Sequence, residues 1–169
     1  MKIILFRGRP GVGKTTISNI LSKKTGIPVL RKDDIYDVVS EFIESHQVRN
    51  KISYGSLYAI LESNIKTNCS FIIDFPFHSI EHFSIIKKWC GEKEVELNSI
   101  LVICSDERIW AERFNERTKN PKPNQLITNF EKMKENYKDM EVIPEKGELV
   151  VDTVKTPEVL LIEINTFIS

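Results

Sequence analysis

Residues 8 to 15 read Gly8-Arg9-Pro10-Gly11-Val12-Gly13-Lys14-Thr15, and they fill every fixed position of the phosphate-binding template G-x-x-x-x-G-K-[ST]. Each residue type has a task. The glycines let the backbone fold tightly, so that successive N–H groups point at phosphate oxygens. Lys14 supplies a point charge for the β- and γ-phosphates, and the Thr15 hydroxyl is a ligand for Mg2+. A helix opening at Thr15-Thr16 adds favourable potential for an anion.

Three more positions carry chemistry once a phosphate site is granted. Arg31-Lys32-Asp33-Asp34 follows a short apolar stretch. An acid there has two readings. It caps the following helix, worth about 1 kcal/mol, or it accepts the proton of a hydroxyl attacking the γ-phosphate. Phe71-Ile72-Ile73-Asp74 has the form of a buried strand ending in a carboxylate that holds Mg2+. Phe75-Pro76-Phe77 follows it and either lines an acceptor pocket or joins the core. Arg113 and Arg117 stand four apart and share one helix face. They suit a lid over phosphates or, beside Glu112 and Glu116, a solvated face. Arg108 lies off that face.

The elements that must position these residues alternate between strand and helix. Strands are expected at Lys2–Phe6, Pro28–Arg31, Ser70–Asp74, Ser99–Cys104 and Leu149–Asp152, each a short apolar run. Ile17, Ile20 and Leu21 give the first helix its apolar face. Further helices are expected at about 34–46, 55–67, 79–90, 106–118 and 126–140. The helix over 126–140 carries Phe130, Met133, Tyr137 and Met140 on one face, which reads as core. A last helix opens at Thr156-Pro157. Lys119 to Gln125, with Pro121 and Pro123, reads as a loop between two helices. Alternation of this kind predicts an α/β fold, a parallel sheet of about five strands with helices on both faces.

Composition bounds the rest. The 169 residues fit one domain over 1–169. Lysine plus arginine equals aspartate plus glutamate at 24 each, which gives no bulk attraction to nucleic acid or to a membrane. No apolar run approaches the roughly 18 residues of a transmembrane helix. Cys69, Cys90 and Cys104 are an odd, scattered set and read as reduced thiols of a cytoplasmic protein. His78-Ser79-Ile80-Glu81-His82 matches the inverted zinc-protease helix, but no further ligand cluster accompanies it. The base-reading N-K-x-D of a GTPase is absent.

Taken together, these sites resemble the small P-loop kinases grouped with chloramphenicol phosphotransferase, the zeta-toxin kinases and the kinase domain of phage polynucleotide kinase. The resemblance spans residues 1 to about 125. It implies a P-loop NTPase three-layer sandwich with strand order 2-3-1-4-5 and a lid region at about 106–125. It implies a nucleotide site of Gly8, Gly11, Val12, Gly13, Lys14, Thr15 and Thr16, with Arg113 near adenine and phosphate. Catalysis would fall to Lys14, Asp33 and Arg117, and Mg2+ to Thr15 and Asp74. Tyr36 stands where the polynucleotide kinase holds its substrate phosphate with an arginine, which weighs against a nucleic-acid end as acceptor. The expected function is therefore ATP- and Mg2+-dependent phosphoryl transfer to a hydroxyl of a small molecule, by a monomer or homodimer. The alternatives are a 5′-hydroxyl nucleic-acid-end kinase and a nucleotide-hydrolysing regulatory module.

Overall fold

A computed structural model describes residues 1–77, 79–138 and 143–169. Its centre is a strand whose side chains alternate between two cores. In β1 (Lys2–Arg7), Ile3 and Leu5 face one apolar cluster, while Ile4 and Phe6 face the other. A strand buried on both faces reads as a continuous apolar run, as this one does. β1 pairs in parallel with β3 (Ser70–Asp74) and with β4 (Glu96–Ile103). β2 (Val29–Arg31) adds to β3, and β5 (Leu149–Asp152) adds to β4. The five parallel strands run in the order β2-β3-β1-β4-β5, as expected.

The helices divide between the two cores. Leu57 and Leu61 of α3 (His46–Asn64) and Phe83 and Ile86 of α4 (Ile80–Glu92) fill one. The other takes Ile17 and Leu21 of α1 (Lys14–Thr25), Trp110 and Phe114 of α5 (Glu107–Arg117), Phe130 and Met133 of α6 (Phe130–Asn136), and Leu160 and Ile164 of α7 (Pro157–Ile168). Among the described residues no helix is long and apolar enough to cross a membrane.

Several boundaries differ from expectation. The helix expected over 34–46 is α2, Lys32–Val39. It ends in tight turns over 40–43. The helix expected from 55 begins at His46, because Ser45 caps it by accepting from the Val48 N–H at 3.4 Å. Gly55 sits inside α3, where glycine costs roughly 1 kcal/mol, and burial of Ser53, Leu57 and Leu61 carries the helix through it. β4 starts three residues early, at Glu96. α6 is shorter than 126–140, since Asn129 caps it by accepting from the Lys132 N–H. Met140 and His78, on which the helical stripe and the zinc-helix pattern drew, lie outside the described residues.

Candidate active site

The carboxyl ends of all five strands meet at one edge, where open parallel sheets bind ligands. Gly8 follows β1, Lys32 follows β2, Asp74 ends β3, Cys104 follows β4 and Thr153 follows β5. The register sets Phe6 and Arg31 on either side of Asp74. A cleft of about 1170 Å3 opens over this edge.

The phosphate loop is built from backbone. Gly8 has φ +142, and a Cβ there would stand 2.3 Å from the Val102 carbonyl oxygen, so the chain leaves β1 only as glycine. Gly13 has φ +103 and forms the N-cap of α1, with Thr153 Cγ2 at 3.2 Å from where its Cβ would be. Gly11, Gly13, Lys14, Thr15 and Thr16 line the cleft. Gly8 and Val12 do not. Val12 is packed into the core, and its carbonyl accepts from the Thr153 hydroxyl at 2.7 Å. What either offers a nucleotide is backbone.

Four charged side chains converge beyond the loop. Lys14 Nζ donates to the carbonyls of Gly8 and Arg9, both at 2.8 Å. Burial lowers its pKa to about 8. Asp74 and Asp33 oppose that shift, and Arg117 adds to it. Thr15 Oγ1 donates to Asp74 Oδ2 at 2.6 Å, and Asp74 is buried. Asp33 is held above the ordinary carboxylate range, first by burial and next by Asp74, against the pull of Arg117, Lys32 and Lys14. The two acids at the start of α2 are thereby separated. The N-cap of α2 is Arg31, without a side-chain cap, so neither aspartate caps the helix. Asp34 is exposed and pairs with Arg31 at 3.3 Å, whereas Asp33 faces the charges of the cleft.

The arginines on α5 are anchored differently. Arg113 donates to the Thr153 hydroxyl at 2.8 Å and to the Thr153 carbonyl at 3.0 Å. Arg117 points at Gln125. With that amide turned so its oxygen faces the guanidinium, Arg117 Nε and Nη2 donate to it at 3.2 and 3.1 Å. Arg108 pairs with Glu112 on the exposed face. Phe75 and Phe77 are core, and Pro76 lines the cleft. Tyr36 is buried, its hydroxyl 2.7 Å from His46 Nδ1.

Sequence reasoning passed over Thr153, which ties Val12 and Arg113 to the end of β5. It passed over Trp110, whose indole N–H donates to the Pro10 carbonyl at 2.8 Å. It also passed over Asp37, whose carboxylate accepts from both the backbone N–H and the side-chain amide of Asn124 at 2.9–3.0 Å.

The family described as an AAA domain matches residues 3–140, and the chain belongs to it. No curated protein matches the sequence. Solved structures share the fold, kinases among them. A candidate kinase from Chloroflexus aurantiacus J-10-fl is 17% identical with a TM-score of 0.80, covering 99% of this chain and 98% of its own. Kti12 from Chaetomium thermophilum, in complex with ADP-AlF3, is 14% identical with a TM-score of 0.71, covering 99% of both chains. A gluconokinase from Sinorhizobium meliloti 1021 is 15% identical with a TM-score of 0.66, covering 99% of this chain and 91% of its own.

Proposed function

We propose that this protein is a kinase that moves the γ-phosphoryl group of ATP to a hydroxyl of a small-molecule acceptor. The observation that carries the reading is the convergence of Lys14, Asp33, Asp74 and Arg117 in one cleft at the carboxyl edge of the sheet. The loop from Gly8 to Thr16 fits a nucleotide's phosphates, because its positive-φ glycines leave room for backbone N–H groups to approach an anion. Thr15 and Asp74 fit Mg2+. They offer two oxygen ligands, and among the described residues no cluster of three acidic, histidine or cysteine side chains forms a full metal cage. Mg2+ suits such a site because it is held by one or two protein oxygens, the substrate's phosphates and water. When bound, it offsets charge on the β- and γ-oxygens.

The protein's own groups divide the work. The acceptor oxygen attacks the γ-phosphorus, forming one O–P bond as the bond to the β-phosphate oxygen breaks and ADP leaves with its electron pair. The hydroxyl proton passes to Asp33, whose raised pKa improves it as a base. Lys14 and Arg117 bear on the oxygens that gain charge in the transition state. α5 and the segment after it, about 106–125 in all, would form the lid, with Arg113 near adenine and phosphates. The gluconokinase neighbour acts on a small molecule by its name, and the Kti12 neighbour holds ADP-AlF3, in keeping with this reading. So is the resemblance to the chloramphenicol phosphotransferase group, which sets Asp33 in the base position. A single domain, a monomer or homodimer, and a cytoplasmic setting complete the proposal.

The test is ADP release from Mg-ATP across a panel of hydroxylated metabolites, nucleosides and oligonucleotides. Asp33→Asn should cut acceptor phosphorylation by about 100-fold or more with ATP affinity kept. It should also raise Tm, because a carboxylate disfavoured by burial is replaced by a neutral amide. Lys14→Ala should abolish turnover in a folded protein. Hydrolysis indifferent to every acceptor would turn the assignment toward a regulatory module. Labelling of an oligonucleotide 5′ end would turn it toward a nucleic-acid-end kinase.

A further inference from the structure

The cleft is more basic than the chain. The whole sequence balances at zero, yet eight lysines and arginines line the cleft against four aspartates. Most of these charges are already engaged. Arg31 pairs with Asp34, Lys155 with Glu163, and Asp37 accepts from Asn124. Arg113 is bound to Thr153, and Lys14 and Arg117 stand at the phosphate end.

Lys32 is different. It opens α2 next to Asp33, and both residues line the cleft. Two tyrosine rings fix it, with Nζ 5.3 Å from the Tyr36 centroid and 5.8 Å from that of Tyr54. Among the described residues no carboxylate lies within ion-pairing distance of it. A part-buried ammonium held on ring faces without an acid partner carries an unrepaid desolvation cost. The wall facing it comes from α3, where His46, Asn50 and Tyr54 recur every four residues on one side. Asn50 Nδ2 meets His46 Nε2 at 2.8 Å, which leaves Asn50 Oδ1 shut from solvent with no donor. Lys51, also without an ion pair among the described residues, lines the same wall.

We propose, resting on the kinase reading above, that the acceptor is an anionic polyol. Its carboxylate or phosphate is held by Lys32 and Lys51, and one of its further hydroxyls donates to Asn50. A neutral sugar or nucleoside offers hydroxyls to Asn50 Oδ1 but leaves Lys32 without a counter-charge. An acid satisfies both, and charge-assisted bonds are the ones that discriminate strongly.

The experiment uses the full chain with Mg2+ and a non-hydrolysable ATP analogue. It follows the His46 ring signals by NMR while matched probes are added: D-gluconate against sorbitol, and glycerol 3-phosphate against glycerol. The anionic member of a pair should bind at least about tenfold more tightly than the neutral one. Lys32→Gln should erase that preference and Lys32→Arg should keep it, with analogue affinity unchanged in both. The two pairs separate a carboxylate from a phosphate ester as the favoured group. No preference for the anion in either pair, or a preference that survives Lys32→Gln, overturns the proposal and leaves the kinase reading standing. A wild-type protein that binds no analogue overturns both.

Discussion

Lys14 is turned back onto its own loop, where its ammonium donates to the Gly8 and Arg9 carbonyls. A buried ammonium with a pKa near 8 has a testable pH signature. ATP binding wants Lys14 charged, so affinity for ATP should hold below pH 8 and fall by up to about tenfold per unit above it. Stability has the opposite slope. The unfolded chain binds the proton more tightly than the native one between pH 8 and the ordinary lysine value, so this group stabilises the free protein as pH rises through that window. Calorimetric titration with ATP and thermal melts of the free protein, both from pH 6.5 to 9.5, check the pair. Slopes of the same sign would refute the placement of this charge. Residues such as Gly8 to Thr15 were legible in the sequence because they are contiguous and each type has a separate physical task. Asp33 and Asp34 were not separable there by type or spacing, and only the family resemblance singled out Asp33. Which acid faces the other charges depends on where α2 begins, and Arg31 rather than an aspartate takes the cap position.

At the scale of elements, the segment between α5 and α6 is tied across the cleft. Asn124 gives three hydrogen bonds to Asp37 on α2, while Gln125 meets Arg117 at the end of α5. Hydrogen bonds to a charged group contribute about 1.5–3 kcal/mol. Asp37→Ala should therefore speed trypsin cleavage after Lys119 by about tenfold or more, and ATP plus acceptor should slow cleavage in the wild type. Equal rates in all states would show that residues 118–129 move independently of the site. The sequence marked this segment as a loop through Pro121 and Pro123, but not its clasp, since 87 residues separate the partners. Likewise the start of α3 was placed near residue 55 rather than at His46, and Gly55 lies inside the helix. A buried stripe that crosses it is visible only once the sheet it covers is known.

For the molecule as a whole, one ion pair stands apart. Arg7 and the Glu148 side chain are both almost fully buried, with Arg7 Nε and Nη2 on the two carboxylate oxygens at 2.6 and 2.5 Å. Arg7 Nη2 also donates to the Ile143 carbonyl, and its guanidinium lies 4.6 Å from the centroid of the Phe83 ring. The pair joins the central strand to the loop before β5. Removing one partner strands a buried charge, at a cost of about 3–5 kcal/mol. Glu148→Ala should accordingly lower Tm by about 6–20 °C in a chain of this length. Arg7→Met with Glu148→Leu should recover most of that loss. A double variant no better than the single one would mean that the pair does more than neutralise itself. The parallel sheet could be read from the alternation of elements and its strand order from the family resemblance, yet nothing around Arg7 or Glu148 announces that they meet.

The long separation between these partners also has a bearing on time. Val12 and Thr153 are 141 residues apart, as are Arg7 and Glu148. A ribosome adding about 5–20 residues per second needs roughly 7–28 s to cover that distance. Throughout that interval the nascent chain carries its phosphate loop without the threonine that braces it, and its central strand with an unneutralised arginine. ATP is thus a late ligand for the newborn protein, and protection of the early strands falls to whatever shields them until β5 arrives.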